Sequence, residues 1–181
     1  MSDGVSSPHN TIQNDAALAT ALRRYGICHL LSAEPAALPD DLDASTLIVG
    51  LANHTDPRFR QALIALFLRH PELSEQVHGL LDQLPSSAAD SLRHLYTAAV
   101  YLQRLWRNLL RLHLGRFRML PDHFGQAYYH LPPPDVAFGE AGLRSLARLY
   151  SARTGFDWTS IYQTTMTLFL QQLSLEQGHY D

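Results

Sequence analysis

Between Ser91 and Pro121 the chain carries six arginines (Arg93, Arg104, Arg107, Arg111, Arg116 and Arg118) and no aspartate or glutamate. Guanidinium forks match the paired oxygens of phosphates and carboxylates, so an acid-free run of this kind suits an anion. Arg104, Arg107 and Arg111 fall at steps of three and four, one face of a helix, with Tyr101 beside them. The chemistry is recognition of a nucleic-acid backbone, a nucleotide or an acidic protein surface. Arg116, Arg118, Tyr128 and Tyr129 follow in the chain and complete the candidate binding set. A second outcome stays open beside it. Acids concentrate earlier (Glu34, Asp40, Asp41, Asp43, Glu72, Glu75, Asp82, Asp90) and can neutralise these arginines internally. Exposed pairs of that kind are worth about 0–1 kcal/mol each.

The same stretch holds Arg107-Asn108-Leu109-Leu110-Arg111-Leu112-His113. Its spacing resembles the loose Arg-x(4–6)-His signature of HEPN-domain ribonucleases, small all-helical proteins often paired with a nucleotidyltransferase in bacterial toxin–antitoxin operons. The resemblance implies Arg107 and His113 at a dimer cleft, cleaving RNA without metal. His113 would transfer protons and Arg107 would stabilise phosphorane charge. Helix geometry sets a second reading beside this one. Six residues at 100° each put the two side chains roughly 120° apart and about 9 Å along the axis, so they cannot meet on one straight helix. His113 also continues an apolar seam, the setting of a hydrogen-bonded core histidine.

Other chemistries lack their residues. Ten histidines are scattered without His-Glu-x-x-His or His-x-x-x-His spacing, and only Asp122, His123 and His130 could gather by folding of a loop. No lysine is present, which excludes a P-loop or a Schiff base, and Gly-x-Ser-x-Gly is absent. The single cysteine, Cys28, permits neither an intramolecular disulfide nor a Cys-based zinc site. No cofactor is expected.

The element that must position the arginines is Ser86–Arg116, free of proline and with its first glycine at Gly115. Leu95, Ala99, Leu102, Trp106, Leu109 and His113 recur at alternating steps of four and three, which predicts one long central helix. Ahead of it, residues 1–14 are polar and aperiodic and read as a flexible tail. Asp15 opens a first helix that stops near Gly26; Ile27–Leu31 fits a helix extension or a brief strand. Glu34–Asp43 reads as a loop, and a buried helix covers Thr46–Asn53. Asp56-Pro57 starts a third helix by the N-cap and first-turn proline rule. Together with a fourth over Glu72–Leu84, it forms one HEAT-like helical hairpin, without the repeats that a solenoid needs.

Beyond the central helix, residues 117–136 form a long Pro- and Tyr-rich connecting loop through Pro132-Pro133-Pro134. Glu140 leads a helix that stops at Gly155, and Asp157 caps a last helix over Trp158–Leu175. The expected architecture over residues 15–181 is one all-α domain, an irregular or orthogonal bundle of six to seven helices around the central one.

A chain of 181 residues with 46% hydrophobic and 17% charged residues can bury a real core. Its formal net charge of −3 argues against a nucleic-acid coat protein. No secretory signal and no apolar run of about 18 residues is present, so the expectation is cytoplasmic, off the membrane. These readings converge on a non-enzymatic interaction or regulatory module. Its Arg-rich face would meet an acidic protein partner or a nucleic acid, with a homo-oligomer left open and a HEPN-like ribonuclease as the alternative.

Overall fold

Short side-chain signals start and stop most of the helices. In the computed structural model, which describes residues 8–28 and 42–178, the Asp43 carboxylate accepts the Thr46 N–H at 2.7 Å and the Asp56 carboxylate accepts the Arg58 N–H at 2.8 Å. Pro57 occupies the first turn after Asp56, where its missing N–H costs nothing. Gly155 ends a helix with φ 76°, and Asp157 then accepts from Thr159 and Ser160 to begin the next. The elements are α1 (Pro8–Arg24), α2 (Ala44–Asn53), α3 (Pro57–Arg69), a 3-10 turn (Pro71–Gln76) and α4 (Val77–Leu81). They continue with α5 (Ser86–Leu105), α6 (Arg107–Leu114), a second 3-10 turn (Val136–Gly139), α7 (Glu140–Thr154) and α8 (Trp158–Gly178). The fold is all-α. Among the described residues there is no strand, and no helix is long and apolar enough to cross a membrane.

α5 is the axis. Every residue from His94 to Arg104 is buried, with α3, α2 and α7 packed around it. α8 lies against α3, α6 and α7, and α1 lies against α2. Tyr101 shows how tightly α5 and α7 meet. A Cβ added at Gly142 would overlap the Tyr101 ring, so only glycine lets the helices approach this closely.

Four expectations change. The central helix is not continuous to Arg116: Trp106 leaves helical geometry (φ −102°, ψ 15°), and α6 sets off separately to pack on α8. No proline or glycine marks that break, so tertiary packing decides it. The expected fourth helix is a 3-10 turn after Pro71 followed by the five-residue α4, so the second arm of the expected HEAT-like hairpin is not one regular α-helix. α1 begins at Pro8, which makes residues 8–14 helical rather than tail. With the break and α4, the described residues hold eight α-helices. The expectations for residues 1–7, 29–31 and 34–41 lie outside the described residues.

The loop after α6 has no regular element before Val136, and α5 straps it down. The Tyr96 hydroxyl donates to Pro121 O at 2.7 Å and the Tyr101 hydroxyl to Pro132 O at 2.6 Å. Gln103 spans chain segments: its amide NH2 donates to Arg118 O (3.0 Å) and its carbonyl accepts the Leu120 N–H (2.7 Å). Leu120, Phe124 and Leu131 then enter the core.

Candidate functional site

The break at Trp106 divides the predicted arginine face. Arg104, at the end of α5, is 9% exposed. Its Nε lies 3.4 Å from Asp135, and its Nη1 donates to Val100 O and to the Gln103 carbonyl. It braces the Pro-rich loop from inside and is closed to a ligand. Arg118 forms a surface ion pair with Glu75, which is the internal neutralisation held open above. Arg107, Arg111 and Arg116 behave differently. No carboxylate among the described residues pairs with any of the three. Arg111 and Arg116 are exposed, while Arg107 is half-buried with its Nε sealed from solvent and unbonded.

Tyr128 and Tyr129 are elsewhere. Tyr128 lies beneath the Arg93 guanidinium, 5.1 Å from ring centroid to Cζ, and the Tyr129 hydroxyl meets the Tyr150 hydroxyl at 2.8 Å. Arg93 and Arg104 sit eleven residues apart on one helix, about 16 Å along its axis. The two tyrosines therefore do not share a patch with Arg107 and Arg111. His113 turns toward α8, where its Nδ1 is 2.9 Å from the Gln177 carbonyl oxygen, whose amide in turn donates to Leu112 O and His113 O. Arg107 and His113 thus take separate environments in the chain. Asp122, His123 and His130 do not gather either. Asp122 accepts from Gly125 N and Gln126 N, while His123 Nε2 lies 3.2 Å from Ser74 O. Burial and the nearby His78 lower the His123 pKa. No group of three metal-ligating side chains occurs among the described residues.

What α6 presents instead is apolar. Leu110 is its buried residue, and Leu114 packs on the core from the same side. Leu109 and Leu112, three residues apart on the outer face, are 41% and 68% exposed, and Leu105 just before the break is 37% exposed. A groove of about 450 Å³ opens beside Leu105 and Trp106, between α5, α7 and α8. Leu102, Leu143 and Ala147 line it, and the Glu140–Arg144 pair stands at its rim. Isolated exposed leucines are ordinary, but here two stand on the outer face of a helix whose arginines meet no carboxylate among the described residues. The predicted seam through Leu109 concealed it. Once the helix breaks, Leu110 takes the inward place and Leu109 is turned out.

A second cluster carried no sequence signal: His94 and Tyr162, buried together, with His94 Nε2 2.6 Å from the Tyr162 hydroxyl. Desolvation, reinforced by Arg153, lowers the His94 pKa to about 3, and burial raises that of Tyr162. Set against known proteins, the chain matches no protein-family model, no curated protein and no solved structure. What stands is the class: an all-α protein with an outward Leu and Arg face on a short, offset helix.

Proposed function

We propose that the protein is a non-enzymatic interaction module, and that α6 with the adjoining end of α5 docks an acidic amphipathic helix of a protein partner. The observation that carries this reading is the exposure of Leu109 and Leu112 on a helix whose Arg107 and Arg111 meet no carboxylate among the described residues. Burying one such leucine contributes about 1.5–3 kcal/mol, and arginines beside an apolar core are frequent energetic anchors. Acidic side chains flanking the partner's apolar stripe would meet Arg107 and Arg111, giving orientation and rate of encounter. A second copy of the chain fits less well. A two-fold contact through the same ridge sets arginines against arginines.

The probe is a synthetic twenty-residue helix with leucines on one face and glutamates flanking them, titrated into the isotopically labelled protein and followed by NMR. Expected are shifts confined to the end of α5, to α6 and to the facing part of α8. Micromolar affinity, at least tenfold weaker for the same peptide with lysine flanks, is the supporting result. Equal binding of the two peptides overturns the reading. A single-stranded RNA titrated at two salt concentrations forms the second arm. Binding that falls steeply with salt, unaltered by Leu112→Asp, would move the function to nucleic acid. RNA cleavage with chelator present, abolished by Arg107→Ala and by His113→Ala, would install the ribonuclease in its place.

A further inference from the structure

A separate groove of about 290 Å³ lies between α3, the first half of α5 and the junction of α7 with α8. Tyr150, Phe156 and Trp158 line one part of it; Arg60, Gln61 and Asp90 line another. His94 also lines the groove although it is only 2% exposed. The Tyr150 ring stacks on its imidazole at 3.4 Å and 5°, and Trp158 meets it edge-on at 4.3 Å. Nε2 is engaged by Tyr162, whereas Nδ1 has no hydrogen-bond partner among the described residues. Buried polar nitrogens are ordinarily satisfied. Nor is this one among the sealed, unbonded atoms of the interior, which are Thr20 Oγ1, Ser74 Oγ and Arg107 Nε. The groove is the cavity that His94 lines.

We infer that this groove binds a neutral, planar heteroaromatic molecule of about nucleobase size, stacked on Phe156 and Trp158 and hydrogen-bonded to His94 Nδ1. The volume sits at the small end for ligand sites, which suits one ring system and not a chain. The charged side chains of the lining already have protein partners. Asp90 is faced by Arg153 at 3.7 Å, and Arg60 Nη1 donates to His54 O and Thr55 O. The Gln61 amide has no partner among the described residues and offers both a donor and an acceptor to a heterocycle edge. The aromatic wall is set before any ligand arrives. Trp158 Nε1 donates to Thr154 Oγ1 at 2.9 Å, and its backbone N–H donates to Ser151 Oγ at 3.2 Å. Phe156, 60% exposed at the mouth, has little to do in the fold and gains cover from a stacked ring.

The protein has two tryptophans, so a Trp106→Phe background makes fluorescence report on Trp158 alone. Adenine and cytosine are the probes, with benzoate and benzamidine as charged controls. Quenching by the two bases with sub-millimolar affinity is expected, with none by the controls. Phe156→Ala, a surface change that leaves the fold intact, should weaken binding about tenfold through the lost stack. His94→Phe, checked for native thermal unfolding, should weaken it comparably while keeping the ring pile. The proposal is overturned if neither base quenches up to its solubility limit, if the charged controls quench as strongly, or if Phe156→Ala binds like the parent. None of these outcomes bears on the α6 face, which shares no residue with this groove.

Discussion

α5 and α6 are neighbours in one stretch that carries no acid after Asp90, yet they have opposite fates. In α5 the polar groups from Gln103 on, and one ring nitrogen of His94, are engaged within the fold. His94 holds Tyr162, Gln103 clamps the following loop, and Arg104 spans Val100, Gln103 and Asp135. In α6 the arginines meet no carboxylate among the described residues, and two of four leucines face outward. The difference lies in surroundings and not composition. α5 is enclosed by α2, α3, α7 and the loop, whereas α6 rests mainly on α8. A helix segment enclosed by its neighbours satisfies most of the polar groups it carries. One covered on a single side can keep charge and apolar surface for a partner.

The contrast predicts where substitutions act on stability and where on binding. The largest effect is acid. Because burial depresses the His94 pKa to about 3, below pH 6.5 the unfolded chain takes up a proton that the folded one refuses. This histidine's stabilising contribution is therefore complete above pH 6.5. It is lost at roughly 1.4 kcal/mol per pH unit as pH falls toward 3. Urea unfolding between pH 7 and 4 checks it, and His94→Gln should flatten the slope. Next comes Gly142→Ala, whose new methyl overlaps Tyr101 and should cost about 3 kcal/mol by overpacking. A loss below 0.5 kcal/mol would mean that the α5–α7 contact yields easily.

Gln103→Ala leaves the buried Leu120 N–H without an acceptor and should cost about 1–3 kcal/mol, read from the same denaturation curves. The smallest change in stability belongs to α6. Leu112→Asp should shift unfolding by no more than about 0.5 kcal/mol while weakening the glutamate-flanked peptide at least tenfold. If Leu112→Asp destabilises as much as Gln103→Ala, the two helices do not differ in kind.

Legibility in the sequence follows the range of the forces involved. Asp43, Asp56-Pro57, Gly155 and Asp157 act on backbone within three residues, so those helix ends could be read from the chain. Trp106 breaks the central helix with no local breaker, and the reason is non-local: α6 swings onto α8, where Gln177 caps the chain at Leu112 and His113. The fate of each arginine was equally illegible. Arg104, Arg107 and Arg111 share a helical face on paper, but one is interior and two lie beyond the break. Periodicity marked Leu109 as core for the same reason. His94 gave no sign at all, since a lone histidine in an apolar helix reads alike whether it faces a groove or a wall.

The Gln103 amide has one more consequence. By joining residue 103 to residues 118 and 120, it closes the base of an excursion that contains all of α6. The segment between those tie points is anchored at both ends, so its outward residues Asn108, Leu109, Arg111 and Leu112 can vary with little demand on the bundle beneath. Such changes would alter what α6 shows to solvent while Leu110 and Leu114 keep it seated.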